Sequence, residues 1–281
     1  MKSLNILGPA LLVLAVFTSV SFGQKMTADD VLARHIQSLG RSEVRKSLKS
    51  IITVGDAEIT FVSPKNRPVN GRLVMASAAE KMFFGMNLNA ADYQSEKFSF
   101  NGTSAKVDYI RPGSRSVLGN FIQSNPMLLE ESLLGGTLST SWSLVNNRSK
   151  GVKLSYDGKK KVDGRDTHIL LYTAKGDLSV SLYFDAETFH HVRTEYKRTS
   201  SAGIGLNPED STRFSESRLK MVEDFSDFRA EHGLMLPHLY KLSYTVTGQR
   251  GTTDIQWNFT MNEFAFNQNL DPRSFELEET K

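Results

Sequence analysis

Hydrophobic and polar positions alternate along most of the chain, and this pattern predicts a strand-rich fold. Apolar residues recur at every second position from about residue 51 onward, as in Met82, Phe84, Met86 and Leu88. This period is that of a strand with one buried face. The predicted strands are 52–61, 72–77, 81–88, 92–100, 104–110, 139–146, 152–157, 167–174, 178–184, 191–197, 217–229, 235–247 and 252–265. Many short strands with turns between them predict one large antiparallel sheet, curved or barrel-like.

A helical period precedes the strands. Thr27-x-x-Asp30 forms a capping box with Asp in place of the usual Glu, and apolar residues follow it at helical spacing as far as Leu39. Gly40 supplies the stop. A second short helix is predicted from Glu43 to Leu48, with Ser42 as its cap.

A second helical stretch interrupts the strands at residues 114–136. Its apolar residues include Phe121 and Ile122, and Asn125-Pro126 divides it into two helices. The stretch is so apolar for its length that it must pack against another part of the protein. Residues 198–216 carry little apolar content and are predicted to form a long mobile loop. Since no internal repeat or domain boundary is evident, residues 24–281 are predicted to form a single domain.

The first 23 residues have the pattern of a cleavable secretory signal peptide. Lys2 provides a positive charge, the apolar run is densest over residues 10–17, and the small residues Ser21 and Gly23 precede a cleavage site after Gly23. This run is far shorter than the roughly 20 apolar residues of a membrane-spanning helix. The chain contains no cysteine, which excludes both a lipoprotein anchor and disulfides. An exported protein without a lipid anchor is therefore expected.

The charge balance argues against nucleic acid as the main partner. The formal net charge is +3, and removal of the signal peptide leaves 33 basic and 31 acidic residues. The longest basic cluster, residues 159–161, is predicted to be the solvated end of a hairpin that turns at Asp157-Gly158. No long basic stripe of the kind that binds a phosphate backbone is present.

The sequence contains no pattern that identifies a catalytic or metal-binding residue. His190 and His191 are neighbours near the start of a strand and are expected to point to opposite faces. Ser217-x-x-Lys220 matches a serine–lysine pattern, but strand positions three apart also face opposite sides. Glu223, in the same strand as Asp224 and Asp227, is interpreted with them as part of a wet outer face. We therefore predict a protein that is not an enzyme and needs no cofactor or metal, with a hydrolase lacking a recognisable motif as an alternative.

The remaining signal is a set of apolar stripes on predicted strands and on the second helical stretch. Soft Met and Phe side chains on such faces can line a cavity for flexible acyl chains, or they can form a filled core. The sequence leaves both interpretations open. The candidate ligand-binding residues are Met82, Phe84, Met86, Leu88, Phe121, Ile122, Val180, Leu182, Phe184, Trp257 and Phe259.

Several segments resemble the LolA/LolB-like superfamily of periplasmic lipoprotein carriers. Residues 178–188 followed by 192–196 are similar to a strand–turn–strand unit of these proteins, and residues 222–228 with 233–238 resemble the next hairpin. The opening segment 27–40 and the ending, with Phe266-Asn267, Leu270-Asp271-Pro272 and Phe275-Glu276, are similar as well.

This resemblance implies an α+β, mainly antiparallel β fold: an unclosed barrel with helices across its mouth that encloses a hydrophobic cavity. It implies a periplasmic carrier that binds acyl chains of a lipoprotein or lipid, meets membrane complexes transiently and acts as a monomer. The chain is longer than the short carriers and has the additional 198–216 loop. An exported non-catalytic scaffold or signalling module with a packed core is the second hypothesis.

Overall fold

Twelve antiparallel strands form one sheet in the computed structural model, which describes residues 25–142, 144, 153–173, 176–200, 217–249 and 251–277. The predicted signal peptide lies outside the described residues, as do positions 201–216 of the predicted loop. The strands are β1 (Ser50–Ser63), β2 (Val69–Ala78), β3 (Lys81–Leu88), β4 (Ser95–Phe100), β5 (Ala105–Val107), β6 (Lys153–Val162), β7 (Arg165–Thr173), β8 (Ser179–Asp185), β9 (His191–Ser200), β10 (Ser217–Glu231), β11 (Leu234–Gly248) and β12 (Gly251–Phe266).

The sheet consists of two meanders that meet at one seam. Its strand order is β5-β4-β3-β2-β1-β12-β11-β10-β9-β8-β7-β6, so that β1 pairs with β12 and every other pair joins consecutive strands. The strands β5 and β6 lie at opposite ends of this order, and the sheet formed by the described residues is therefore unclosed. The predicted fold class, a mainly antiparallel unclosed sheet with a few helices, is confirmed.

One face of the sheet, here called the covered face, carries the main core. Cross-strand pairs bring apolar and aromatic side chains together on this face. Ala57 pairs with Phe259, Ile59 pairs with Trp257, and Tyr240 also pairs with Phe259. These side chains are buried, whereas their neighbours along each strand point to the other side, the outer face.

The helices are short, and none among the described residues is long and apolar enough to cross a membrane. They are α1 (Ala28–Ser38), α2 (Ser42–Ser47), α3 (Val117–Ser124) and α4 (Met127–Glu130), with 3-10 helices at Gly136–Leu138 and Pro272–Phe275. The capping box of α1 is confirmed: the Asp30 N–H donates to Thr27 Oγ1 (3.1 Å), and the Thr27 N–H donates to the Asp30 carboxylate (3.0 Å). Helix α2 begins at Ser42, with Arg41 in the cap position where the sequence suggested Ser42.

The predicted helical insertion lies on the covered face. Its two helices, α3 and α4, meet at Asn125-Pro126 as predicted. The chain then continues along the same face to Trp142, and we call residues 116–142 the covering segment. Its buried apolar side chains belong to the same core cluster as those of the sheet.

Two local predictions were wrong. Of the strand predicted at 139–146, residues 139–142 form a turn and positions 143, 145 and 146 lie outside the described residues. In this turn Ser139 and Ser141 bond to each other, and the Thr140 N–H donates to Ser77 Oγ. Such side-chain bonds compete with strand pairing. The turn predicted at Asp157-Gly158 is a bulge within β6, with Gly158 at a φ of +90°, so that the basic cluster 159–161 continues the strand and the chain turns at Asp163-Gly164.

Candidate functional site

All the candidate ligand-binding residues predicted from the sequence come together in one buried cluster on the covered face. Strands β3, β8 and β12 contribute nine of them, and Phe121 and Ile122 reach the same cluster from helix α3. Each is at most 7% exposed. The structure thus places the predicted residues side by side, but in contact with the covering segment.

The lining of this face is unusually rich in methionine. Besides the predicted Met82 and Met86, the buried cluster contains Met75, Met221 and Met261. Methionine is unbranched and polarisable, and it adapts to irregular apolar shapes. At the centre, Phe84 stacks on Phe98 with ring centroids 4.5 Å apart. The face therefore combines an aromatic centre with adaptable side chains around it.

The covering segment fills the space above this lining. Its leucines at positions 118, 128, 129, 133 and 134 are fully buried. A cavity of about 70 Å³ opens beside it, between Leu39, Trp142 and Leu234. Pockets for drug-sized ligands measure about 300–1,000 Å³, so this cavity does not hold a long acyl chain while the covering segment is in place.

A buried carboxylate, Glu223, lies on the covered face where the covering segment crosses β10. Its Oε1 accepts hydrogen bonds from the Gly135 N–H and from the Tyr240 hydroxyl, and its Oε2 accepts one from the Tyr196 hydroxyl, each at 2.7 Å. Burial raises the pKa of Glu223 to about 7, although these three donors act to lower it. Burial and the adjacent carboxylate also raise the pKa of both tyrosines well above its usual value. Glu223 therefore ties the covering segment to the sheet.

A second buried carboxylate, Glu96, plays the same part on the other half of the sheet. It accepts hydrogen bonds from the Tyr93 hydroxyl and from the Ser116 hydroxyl at the start of α3. The Ser116 oxygen in turn accepts from the Gly119 N–H (2.7 Å) and caps that helix. Burial raises the pKa of Glu96 to about 7 against these donors. The covering segment is thus hydrogen-bonded to a buried carboxyl group at its start, through Ser116, and again at Gly135.

The interpretation of Glu223 as part of a wet outer face was wrong. It is fully buried, while the neighbouring Asp224 points to the outer face and pairs with Arg193. The signal was present in the sequence, because Glu223 stands midway between Met221 and Phe225, which share the apolar face of the strand. Its partner Gly135, by contrast, lies 88 residues away in the chain, and no sequence pattern connects the two.

A cluster of rings joins helix α1 to the other end of the covering segment. His35 packs edge-on against Trp142 (centroids 5.0 Å apart), and Trp142 packs on His191 (4.8 Å). His35 Nδ1 lies 2.8 Å from the Phe189 carbonyl oxygen. Burial lowers the pKa of His35 to about 3 and that of His191 well below its usual value. Both imidazoles are therefore neutral packing groups near neutral pH.

The histidine pair 190–191 and the serine–lysine pattern lie in the sheet as the two-residue period of a strand predicts. His191 is buried on the covered face, while His190 stacks on Phe228 at the outer face (centroids 4.5 Å apart). In the Ser217-x-x-Lys220 pattern, Lys220 pairs with Glu195 on the outer face. Among the described residues, no group of three or more His, Cys, Asp or Glu side chains is placed to hold a metal ion.

A groove of about 840 Å³ runs across the outer face, over β7 to β12. Its lining carries charges of both signs, such as Asp163, Arg193 and Lys241, beside the exposed Leu239. Its size falls within the range of ligand sites. Apolar side chains such as Val192 and Phe228 lie beside these charges, so the lining suits an amphipathic or polar occupant.

Comparison with known proteins finds similarity among solved structures only. No protein-family model and no curated protein matches the sequence. The chain is similar to a LolA superfamily protein from Nitrosomonas europaea, with 13% identity, coverage of 90% of this chain and 98% of the other, and a TM-score of 0.49. A DUF1329 family protein from Desulfovibrio piger shows 13% identity, coverage of 88% and 96%, and a TM-score of 0.48. LprF from Mycobacterium bovis shows 11% identity, coverage of 87% and 96%, and a TM-score of 0.18. The first of these proteins belongs to the superfamily that the sequence motifs of this chain resemble.

Proposed function

We propose that this protein is an exported carrier that binds the acyl chains of a lipid or lipoprotein against its covered face and moves them across the periplasm. One observation supports this above all: a methionine-rich apolar face of an unclosed sheet is covered by a separate segment of chain and not by another strand. The predicted secretory leader and the resemblance of several hairpins to LolA-like carriers agree with it.

In this proposal the covering segment moves aside when an acyl chain enters. The contacts that hold the segment down are mainly apolar, and burial of apolar surface is non-directional. An acyl chain can therefore take the place of the leucine side chains on the sheet, and its burial offsets part of the cost of exposing those leucines. The directional contacts are hydrogen bonds, such as those from Gly135 to Glu223 and from Thr140 to Ser77.

The experiment is to purify the secreted protein and extract it with organic solvent for lipid mass spectrometry. Native mass spectrometry of the same sample gives the stoichiometry, and displacement of the neutral fluorescent probe N-phenyl-1-naphthylamine tests binding of added lipids. We expect a co-purifying acyl lipid or displacement of the probe by one. A protein that is empty and binds neither probe nor lipid would overturn the carrier function.

The second candidate function is an exported non-catalytic scaffold or signalling module. It is favoured by the filled core beneath the covering segment and by the outer groove of about 840 Å³ with its charged lining. In that case the covered face stays closed, and a charge reversal in the groove, Lys241→Glu, weakens partner binding without any change in lipid content.

A further inference from the structure

The covering segment satisfies the polar groups of the covered face in the way that a bound molecule would. Glu223 has three hydrogen-bond donors, of which two, the hydroxyls of Tyr196 and Tyr240, belong to the flanking strands β9 and β11. The third donor, the Gly135 N–H, belongs to the covering segment. If the segment moves, the sheet retains its two donors and the carboxylate loses one.

The conformation of the chain at Gly135 is specific to this contact. Gly135 and Gly136 both have positive φ angles, +77° and +48°, which a glycine adopts without strain. A Cβ atom on Gly135 would lie 2.6 Å from Cε of Met75. The positive φ therefore favours glycine at the position whose N–H reaches Glu223, and a side chain there would also have to displace the flexible end of Met75.

A molecule that replaces the covering segment must likewise supply a hydrogen-bond donor to Glu223. A buried carboxylate that loses a donor without replacement is destabilised by desolvation. An incoming carboxylate would add a second negative charge beside the first. An amide N–H or a hydroxyl next to an acyl chain supplies the missing donor and adds no charge.

We propose, on the basis of the carrier function above, that Glu223 is the polar recognition point of the covered face and selects acyl chains that carry a hydrogen-bond donor. The donor takes the place of the Gly135 N–H at Glu223 Oε1, and the chain takes the place of the leucines of the covering segment. Two chemical classes meet this description: N-acyl amides and acylglycerols with free hydroxyls. Free fatty acids are disfavoured.

The test compares four compounds of equal chain length at pH 8 by displacement of N-phenyl-1-naphthylamine from the secreted protein. Dodecanamide and monododecanoylglycerol carry donors, dodecanoate carries a charge, and methyl dodecanoate carries neither. We expect one or both donor compounds to bind about ten-fold more tightly than dodecanoate and methyl dodecanoate, as one hydrogen bond to a charged group allows. The tighter of the two donor compounds identifies the amide or the hydroxyl as the preferred source.

A matched pair of variants connects the selectivity to the residue. In Glu223→Gln the side chain is uncharged and has its own N–H group, so the disadvantage of dodecanoate relative to dodecanamide should shrink to less than about three-fold. Asp224→Asn changes the neighbouring carboxylate on the outer face and should leave the preference unchanged. Because the wild-type ranking needs no variant, it remains a test if Glu223→Gln fails to fold.

The outcomes separate this inference from the carrier function. If dodecanoate binds the wild-type protein as tightly as the donor compounds, the recognition role of Glu223 is overturned and the carrier function stands. If none of the four compounds displaces the probe, the carrier function fails and the inference fails with it.

Discussion

At the scale of single residues, buried ionisable side chains determine how the stability of the protein depends on pH. Burial raises the pKa of Glu96 and Glu223 to about 7, from an ordinary value of 4.5. Between these values the folded protein holds a proton that the unfolded chain has released, so each group makes folding less favourable as the pH rises. The lowered pKa values of His35 and His191 act in the opposite direction, because there the unfolded chain binds protons that the folded protein does not.

The contribution of Glu223 can be isolated by substitution. Relative to wild type, we expect the free energy of unfolding of Glu223→Gln to increase by about 2 to 3 kcal/mol between pH 5 and pH 8, because glutamine cannot ionise. Urea unfolding at both pH values measures it. Glu58→Gln, at an exposed position on β1, is the control for the effect of a Glu-to-Gln substitution itself. An equal difference at both pH values would show that Glu223 does not titrate with a raised pKa.

The packing around Phe84 gives a second residue-scale prediction. Phe84 is fully buried between Phe98 and Phe259, so Phe84→Ala should lower the free energy of unfolding by about 3 to 5 kcal/mol. Val74→Ala, on the outer face of the adjacent strand and 36% exposed, should cost less than about 1 kcal/mol. Comparable small losses at both positions in urea unfolding would indicate that the covered face is hollow.

At the scale of elements, the covering segment determines whether the apolar face is accessible. Its turn at residues 139–142 lies against β2, with the Thr140 N–H donating to Ser77 Oγ at 2.9 Å. The native chain has no cysteine, so a pair of cysteines introduced at these two positions has no competing partner. A backbone N–H bonded to the Oγ of Ser77 places the two Cα atoms within about 7 Å of each other, a separation that a disulfide can bridge.

We therefore expect the double variant Ser77→Cys/Thr140→Cys, once oxidised, to bind an apolar probe at least about ten-fold more slowly than its reduced form, since opening of a lid limits entry. Stopped-flow fluorescence with N-phenyl-1-naphthylamine measures the rate. The same protein after treatment with reductant is the matched control. Equal rates in both forms would show that probes enter without movement of this end of the segment.

Elements were predictable from the sequence where the signal is local. The capping box at Thr27 and Asp30, the break at Asn125-Pro126 and the alternation of Met82 to Leu88 each lie within a few residues of chain. The prediction of a turn at Asp157-Gly158 was wrong, because a β-bulge and a turn favour the same types of residue. The contacts that define the site join residues that are distant in the chain, such as Gly135 and Glu223. Which of these residues meet follows only from the folded sheet.

At the scale of the whole molecule, the two meanders depend on one seam. Strands β1 and β12 pair along most of their length, with a bulge at Val54-Gly55. A Cβ atom at Gly55 would lie 2.1 Å from the Thr260 carbonyl oxygen, so the strands approach each other there only because this residue is glycine. The seam joins residues that lie about 200 positions apart in the chain.

Substitution at this seam should destabilise the whole sheet. We expect Gly55→Ala to lower the free energy of unfolding by about 1 to 3 kcal/mol, because the strands must separate to accept the methyl group. Gly248→Ala, where the added Cβ would meet Ser217 at an ordinary 3.8 Å, is the control and should leave the stability nearly unchanged. Urea titration followed by circular dichroism compares them. Equal stability of both variants would contradict a rigid seam.

The position of the covering segment in the chain has a consequence for how such a protein can diversify. The segment connects β5 with β6, the two strands at opposite edges of the sheet, so its length and composition can change without a shift in the register of any strand pair. A one-residue insertion inside a paired strand, by contrast, moves every side chain beyond it to the other face of the sheet. The sheet then acts as a constant frame, and this single stretch of chain is an exchangeable cassette through which selection or design can alter the volume and polarity of what the frame holds.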